Sequence, residues 1–137
     1  MKELVLKATL ENVSKATAFI DEQLEAHDCS FKAQMQIDVA IDELFANISS
    51  YAYRDQAEGG DVRISFSYED SSRMATIVLM DQGIPFNPLE QEEPDTELPA
   101  EERAIGGLGI FLVRKTMDHM NYRYDQGSNI VTIQKKI

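Results

Sequence analysis

Cysteine occurs once in these 137 residues, at Cys29, and tryptophan does not occur. A lone thiol excludes an intramolecular disulfide and suits a reducing compartment. Basic residues are scarce beside acidic ones, 13 against 24, for a formal net charge of -11. A nucleic-acid backbone needs a basic surface, so that class of partner is not expected. The same charge repels ATP at long range, so a nucleotide site here would need Mg2+ and local hydrogen-bond donors. Long apolar runs are missing as well, which argues against a membrane span. The opening MKELVLKATLENV is too polar for the apolar core of a signal peptide. A cytoplasmic location is the expectation. Proline is confined to positions 85, 88, 94 and 99, so helix and strand breakers are concentrated in one stretch.

What is present is enough for a core: 43% of the residues are hydrophobic, and the length fits one domain spanning 1–137. Residues 2–10 read as a strand. Asn12 or Ser14 is placed to cap a helix carrying Val13, Ala16, Phe19, Ile20 and Leu24 and ending near His27. Ser30 opens a longer pattern of Phe31, Met35, Val39, Leu44, Phe45, Ile48, Tyr51 and Ala52, read as one helix over 31–53. RDQAEGGD is a turn cluster, and DVRISFSYED alternates as a half-buried strand. MATIVLM is continuously apolar and is expected at the centre of a sheet. Residues 82–105 hold all the prolines and many acids with little periodicity, the composition of a functional loop or lid, about 84–105. IGGLGIFLVRKTMDHM then enters a helix through glycines, and the chain closes as a hairpin turning at QGSN. The order β-α-α-β-β-lid-α-β-β implies an α+β fold. It is a two-layer sandwich with a mixed, mostly antiparallel sheet and helices on one face.

Three stretches carry chemistry. In VAIDELFANISSYAY, Glu43 and Asn47 are four residues apart and share a helix face. A solvated polar stripe explains any such pair, but an Asn carbonyl oxygen also suits Mg2+ and a carboxylate can serve as general base. In GGLGIFLV, the glycines allow close backbone approach and leave N–H groups free for an anion. A flexible entry to a tightly packed helix is the plainer alternative. No Lys-Ser/Thr follows these glycines, and no parallel βαβ unit surrounds them, which excludes the two common phosphate-loop motifs. A phosphate site there would lean on backbone donors, Mg2+ and Arg103. In DQGIPFNP, Asp81 ends the apolar strand and Gly83 follows. Both are turn residues. At a pocket rim, however, a carboxylate accepts from an exocyclic amine such as adenine N6 and repels a carbonyl in the same place.

Taken in order, E-x-x-x-N on a helix, D-x-G at a strand end, a lid and G-x-G at a helix start resemble the GHKL (histidine kinase-like) ATPase superfamily. DELFANISSYAY, DQGIPFNP and GGLGIFLV are similar to its bacterial anti-sigma factor and serine-protein kinase branch. The resemblance runs from about Leu4 to Ile133. It implies the histidine kinase-like ATPase fold, with ATP and Mg2+ as ligands. Asn47 would coordinate Mg2+, and Glu43 would be the base. Asp81 would bind adenine with Gly83 beside it, and Gly106, Gly107, Leu108 and Gly109 would close onto the phosphates with Arg103 nearby. The implied function is an anti-sigma factor that sequesters a sigma factor and phosphorylates an anti-anti-sigma partner on serine. Homodimers are typical of the branch.

Departures from the pattern point to an alternative, a nucleotide-binding interaction module with little or no kinase activity. Tyr51 and Ala52, before Tyr53, stand where the kinase branch often has His-Gly. Ser128-Asn129-Ile130 stands where Gly-Thr-Thr is common, so Asn129 either replaces a threonine bond to adenine or the contact is lost. His27 and His119 are isolated, and no phospho-accepting histidine segment is visible.

Overall fold

The structure, a computed structural model, describes residues 1–90 and 107–137, without the side chain of Leu108. Arg103, Gly106 and most of the expected lid therefore lie outside the described residues. The elements are β1 (Lys2–Lys7), α1 (Val13–Ala26), α2 (Phe31–Asn47), β2 (Asp61–Glu69), β3 (Met74–Asp81), α3 (Gly107–Thr116), β4 (His119–Asp125) and β5 (Ser128–Lys136). The strands form one sheet in the order β1-β2-β3-β5-β4, with every neighbouring pair antiparallel. The expected α+β fold is found, and the apolar strand β3 is the central one.

Alternation explains which face is covered. Val62, Ile64 and Phe66 of β2, Ala75, Ile77 and Leu79 of β3, and Val131 and Ile133 of β5 are all buried. Their register partners bring them to one face, where they meet Ile20 and Leu24 of α1, Ile37, Ile41, Leu44 and Phe45 of α2, and Ile110 and Val113 of α3. Truncating any of these large side chains to alanine costs about 2–5 kcal/mol. Thr76, Val78 and Met80 point to the other face and are only half-buried.

Four local readings are corrected. Ser30 caps α2 as expected, its Oγ accepting from Ala33 N at 3.2 Å, a contact worth about 1 kcal/mol. Asn12, in contrast, occupies the N-cap position of α1 without a side-chain cap bond and donates to Lys7 O instead. The long helix is α-helical only to Asn47, and Ile48–Ala52 form a π-helical turn. Phe31, Met35 and Val39 do not face the core; they are 78%, 52% and 49% exposed. Two apolar stripes run along α2, and helical periodicity cannot say which one meets the sheet. Finally, α3 ends at Thr116, where Arg114 and Lys115 suit the C-terminal dipole, and β4 starts at His119.

The last turn is tighter than QGSN. Asp125 pairs with Ser128, and Gln126 and Gly127 take φ of 50° and 81°, the two-residue type I′ geometry. Ser128 and Asn129 thus belong to β5. That register places Asn129 directly across from Asp81.

Candidate nucleotide site

The C-terminal end of α2, the C-terminal end of β3 and the start of β5 meet in one cleft. Asn47, Tyr51, Asp81, Phe86, Asn129 and Val131 line it, with Leu44 and Pro88. Of the expected residues, the cleft gathers Asn47, Asp81 and Asn129.

Asp81 is 4% exposed. Its Oδ1 accepts from Gly83 N and from Asn129 Nδ2, each at 2.9 Å. Among the described residues no hydrogen bond reaches Oδ2, which leaves that oxygen for a ligand donor. Burial pushes the Asp81 carboxyl above its ordinary value, and the bonds from Asn129 and Gly83 pull it partly back.

Asn129 does more than replace a threonine. Its Nδ2 also donates to Ile84 O at 2.8 Å, while its Oδ1 accepts from Phe86 N at 3.0 Å and from the Tyr122 hydroxyl. Both donors and both acceptor sites of the amide are occupied. Asn129 therefore ties Asp81, the 84–86 segment and β4 together, and has no free atom for adenine. Tyr122 is a residue that sequence reasoning missed. Once the turn is placed at Gln126-Gly127, Tyr122 falls on the face shared by Asn129, and that was the available signal.

Gly83 also has a packing task. A Cβ there would lie 2.2 Å from Ala52 O and 2.5 Å from Ala52 C. The glycine lets the loop run against the end of the π-helical turn, where Ile84 N donates to Ala52 O at 2.8 Å. A helix-terminal carbonyl is satisfied in this way. Tyr53 secures the same corner, donating to Asp61 O at 2.7 Å and accepting from Gln82 N at 2.8 Å.

At the phosphate end expected from the sequence, Asn47 Nδ2 is buried and finds no partner among the described residues. Among the described residues nothing holds that nitrogen, and the carbonyl oxygen of the amide is the kind of donor Mg2+ accepts. Glu43, one turn earlier, packs on α3: a Cβ on Gly109 would sit 2.2 Å from its Oε2 and 2.3 Å from its Oε1. The expected close approach at Gly109 is thus occupied by a carboxylate. Burial raises the Glu43 pKa. Gly107 begins α3, so the first turn of that helix and the Glu43 carboxylate are neighbours.

Among the described residues the cleft encloses about 380 Å³, counting its open mouth. Tyr51 and Phe86 stack across it with ring centroids 6.0 Å apart and planes at 29°.

Comparison with known proteins identifies the fold and the family. A family profile described as "Histidine kinase-like ATPase domain" matches residues 6–135. A protein named Serine-protein kinase RsbW from Oceanobacillus iheyensis is 30% identical over 93% of this chain and 75% of its own length. One of the same name from Bacillus cereus is 26% identical over 93% and 73%. Among solved structures, the RsbU and RsbW domains of a Mycobacterium tuberculosis protein superpose with a TM-score of 0.63 at 14% identity, over 99% of this chain and 32% of that one. The catalytic domain of the histidine kinase ThkA gives 0.52 at 12% identity, over 99% and 96%. At those identities the likeness is one of fold. With the profile covering nearly the whole chain, this protein belongs to the histidine kinase-like ATPase domain family.

Proposed function

We propose that this protein is an ATP-dependent serine-protein kinase that doubles as an anti-sigma factor. It would hold a sigma factor until an anti-anti-sigma protein, also its substrate, competes for the same chain. The observation that carries the reading is Asp81. Its carboxylate is buried in the cleft, fixed through Oδ1 by Gly83 and Asn129, with Oδ2 left for an exocyclic amine. Relatives named as serine-protein kinases support the reaction type.

In this reading Asp81 selects adenine, because a carbonyl at the same position would be repelled. Asn47 holds Mg2+, which neutralises charge on the nucleotide phosphates. The first turn of α3, beginning at Gly107, offers backbone N–H groups to the phosphates. Glu43 takes the proton of the partner's serine hydroxyl as that oxygen attacks the terminal phosphorus of ATP, and ADP departs. A carboxyl raised by burial is a better proton acceptor near neutral pH than an exposed one.

A second reading is nucleotide binding without phosphoryl transfer, favoured by Tyr51 and Ala52 standing where the kinase branch often has His-Gly. One experiment separates the two. Radiolabelled ATP and Mg2+ are supplied with a small anti-anti-sigma partner, and transfer and ATP affinity are measured for the wild type and for Glu43→Ala. Transfer by the wild type, abolished in Glu43→Ala while ATP affinity is kept, is the expected result. Binding with no transfer by the wild type selects the second reading, and transfer by Glu43→Ala removes that residue as the base.

A further inference from the structure

One groove at the far end of the molecule has the opposite charge balance from the chain as a whole. A groove of about 710 Å³, counting its open mouth, runs between the start of α2, the end of α3 and the end of β5. Lys32, Lys115, Lys135 and Lys136 line it. They are a large share of the 13 basic residues in a chain with 24 acidic ones. Its one acidic lining residue, Asp118, already accepts from Lys136 N at 2.7 Å. The ion pairs among the described residues join Arg63 to Glu3 and Arg123 to Asp125, so none of the groove lysines is neutralised there. Lys135 Nζ is fixed at the floor by donating to Thr116 O at 2.6 Å, and Lys115 lies 5.3 Å above the Phe111 ring.

Beside this groove stand Phe31 and Met35, 78% and 52% exposed. They are four residues apart, hence on one face of α2. An apolar ridge alone would name no occupant. A ridge flanked by lysines without ion-pair partners among the described residues, on a protein whose net charge repels other acidic surfaces, does: only a segment that brings both apolar side chains and carboxylates gains from both.

We propose that the groove and ridge are a docking surface for an acidic, amphipathic segment of a partner protein. The apolar side chains of the segment rest on Phe31 and Met35, and its carboxylates lie over Lys32, Lys115 and Lys136. The nucleotide cleft is built at the other ends of the same elements, at Asn47 of α2 and Asn129 of β5. Docking here therefore leaves that cleft free, and it does not depend on the kinase reading.

The test uses the full chain and a fluorescent synthetic peptide with leucines at helical spacing and glutamates between them. A glutamine-for-glutamate version and a single-stranded oligonucleotide serve as controls. The expected result is saturable binding of the acidic peptide, weakened about tenfold or more by combined K32E, K115E and K136E and by rising salt. Phe31→Ala, an exposed position, weakens it several-fold without changing the melting temperature. Four results overturn the proposal: no binding, binding indifferent to the triple reversal, equal binding of the glutamine peptide, or equal binding of the oligonucleotide. Sedimentation of the wild type alone covers the remaining occupant. Self-association lost in the triple variant would make the surface a contact between copies of this chain.

Discussion

Two aspartates in this molecule face the same problem and meet it differently. Asp81 at the end of β3 and Asp38 on α2 both have carboxyls pushed up first of all by burial. Asp81 then receives hydrogen bonds from Asn129 and Gly83, which favour the charged form. Asp38 receives none of that kind. It faces Asp21 across the α1–α2 seam, with Asp42 and Glu25 adding to the repulsion, and its pKa is raised to about 8. The sheet register supplies donors at one site, while the helix seam supplies only more acid at the other. Both groups are harder to ionise than an exposed aspartate, but only Asp81 has donors that favour its carboxylate.

Asp81→Asn tests the first half of the comparison and carries the largest expected effect. The new amide can still accept from Asn129 and Gly83 through its oxygen, which turns its NH2 toward the cleft. A donor there meets the donor of adenine, so ATP affinity should fall about 100-fold or more. The melting temperature should hold or rise, because a buried carboxylate has been replaced by a neutral group. Calorimetric titration and a thermal melt on the same sample check both. Unchanged affinity would show that adenine is recognised elsewhere.

Asn129→Ala dismantles the donor side. Asp81 Oδ1, Ile84 O, Phe86 N and the Tyr122 hydroxyl each lose a partner. Leaving buried polar groups unpaired costs about 1–3 kcal/mol apiece, less where water enters, so a net loss of about 2–4 kcal/mol is expected in denaturant unfolding. A loss under about 1 kcal/mol would mean that water takes over the amide's bonds.

Gly109→Ala comes next. The added methyl overlaps the Glu43 carboxylate, and relief by a shift of that side chain costs about 1–2 kcal/mol. Phosphoryl transfer should fall far more than ATP affinity, since the displaced group is the proposed base and not a base-binding residue. Equal losses in both would tie Gly109 to the phosphates instead.

The comparison also shows what could be read from the chain directly. The element order and the central position of β3 follow from apolar period, and the gathering of Asn47, Asp81 and Asn129 was what the family resemblance implied. The roles of Gly83 and Gly109 follow from neither. A glycine announces close approach without saying to what, and here the neighbours are Ala52 O and Glu43. Asn129 was legible as a cleft residue but not as the hub of the cleft, because its partners depend on a turn that ends two residues earlier than QGSN suggests. The Asp21–Asp38 pair left no trace at all. Asp21 and Asp38 each look like a surface acid in sequence, and only helix packing brings them together.

That pair carries the smallest and most specific prediction. With its pKa raised to about 8, Asp38 keeps its proton in the folded state, whereas its ordinary value of 3.8 leaves it ionised when unfolded. Between those values the folded protein binds more protons than the unfolded one, so stability must fall as pH rises from about 4 to about 8. The contribution is fully present below the lower value and gone above the upper one. Asp38→Asn removes the group and leaves an amide facing Asp21, whose Oδ1 has no partner among the described residues. The variant should therefore melt a few degrees higher than the wild type at pH 8, show little difference at pH 4, and have a flatter dependence between. Because Asp38 is remote from the nucleotide cleft, ATP affinity should not change. Parallel melting curves for the two proteins from pH 4 to 9 would mean that no proton is shared at the seam, and the contrast with Asp81 would then rest on geometry alone.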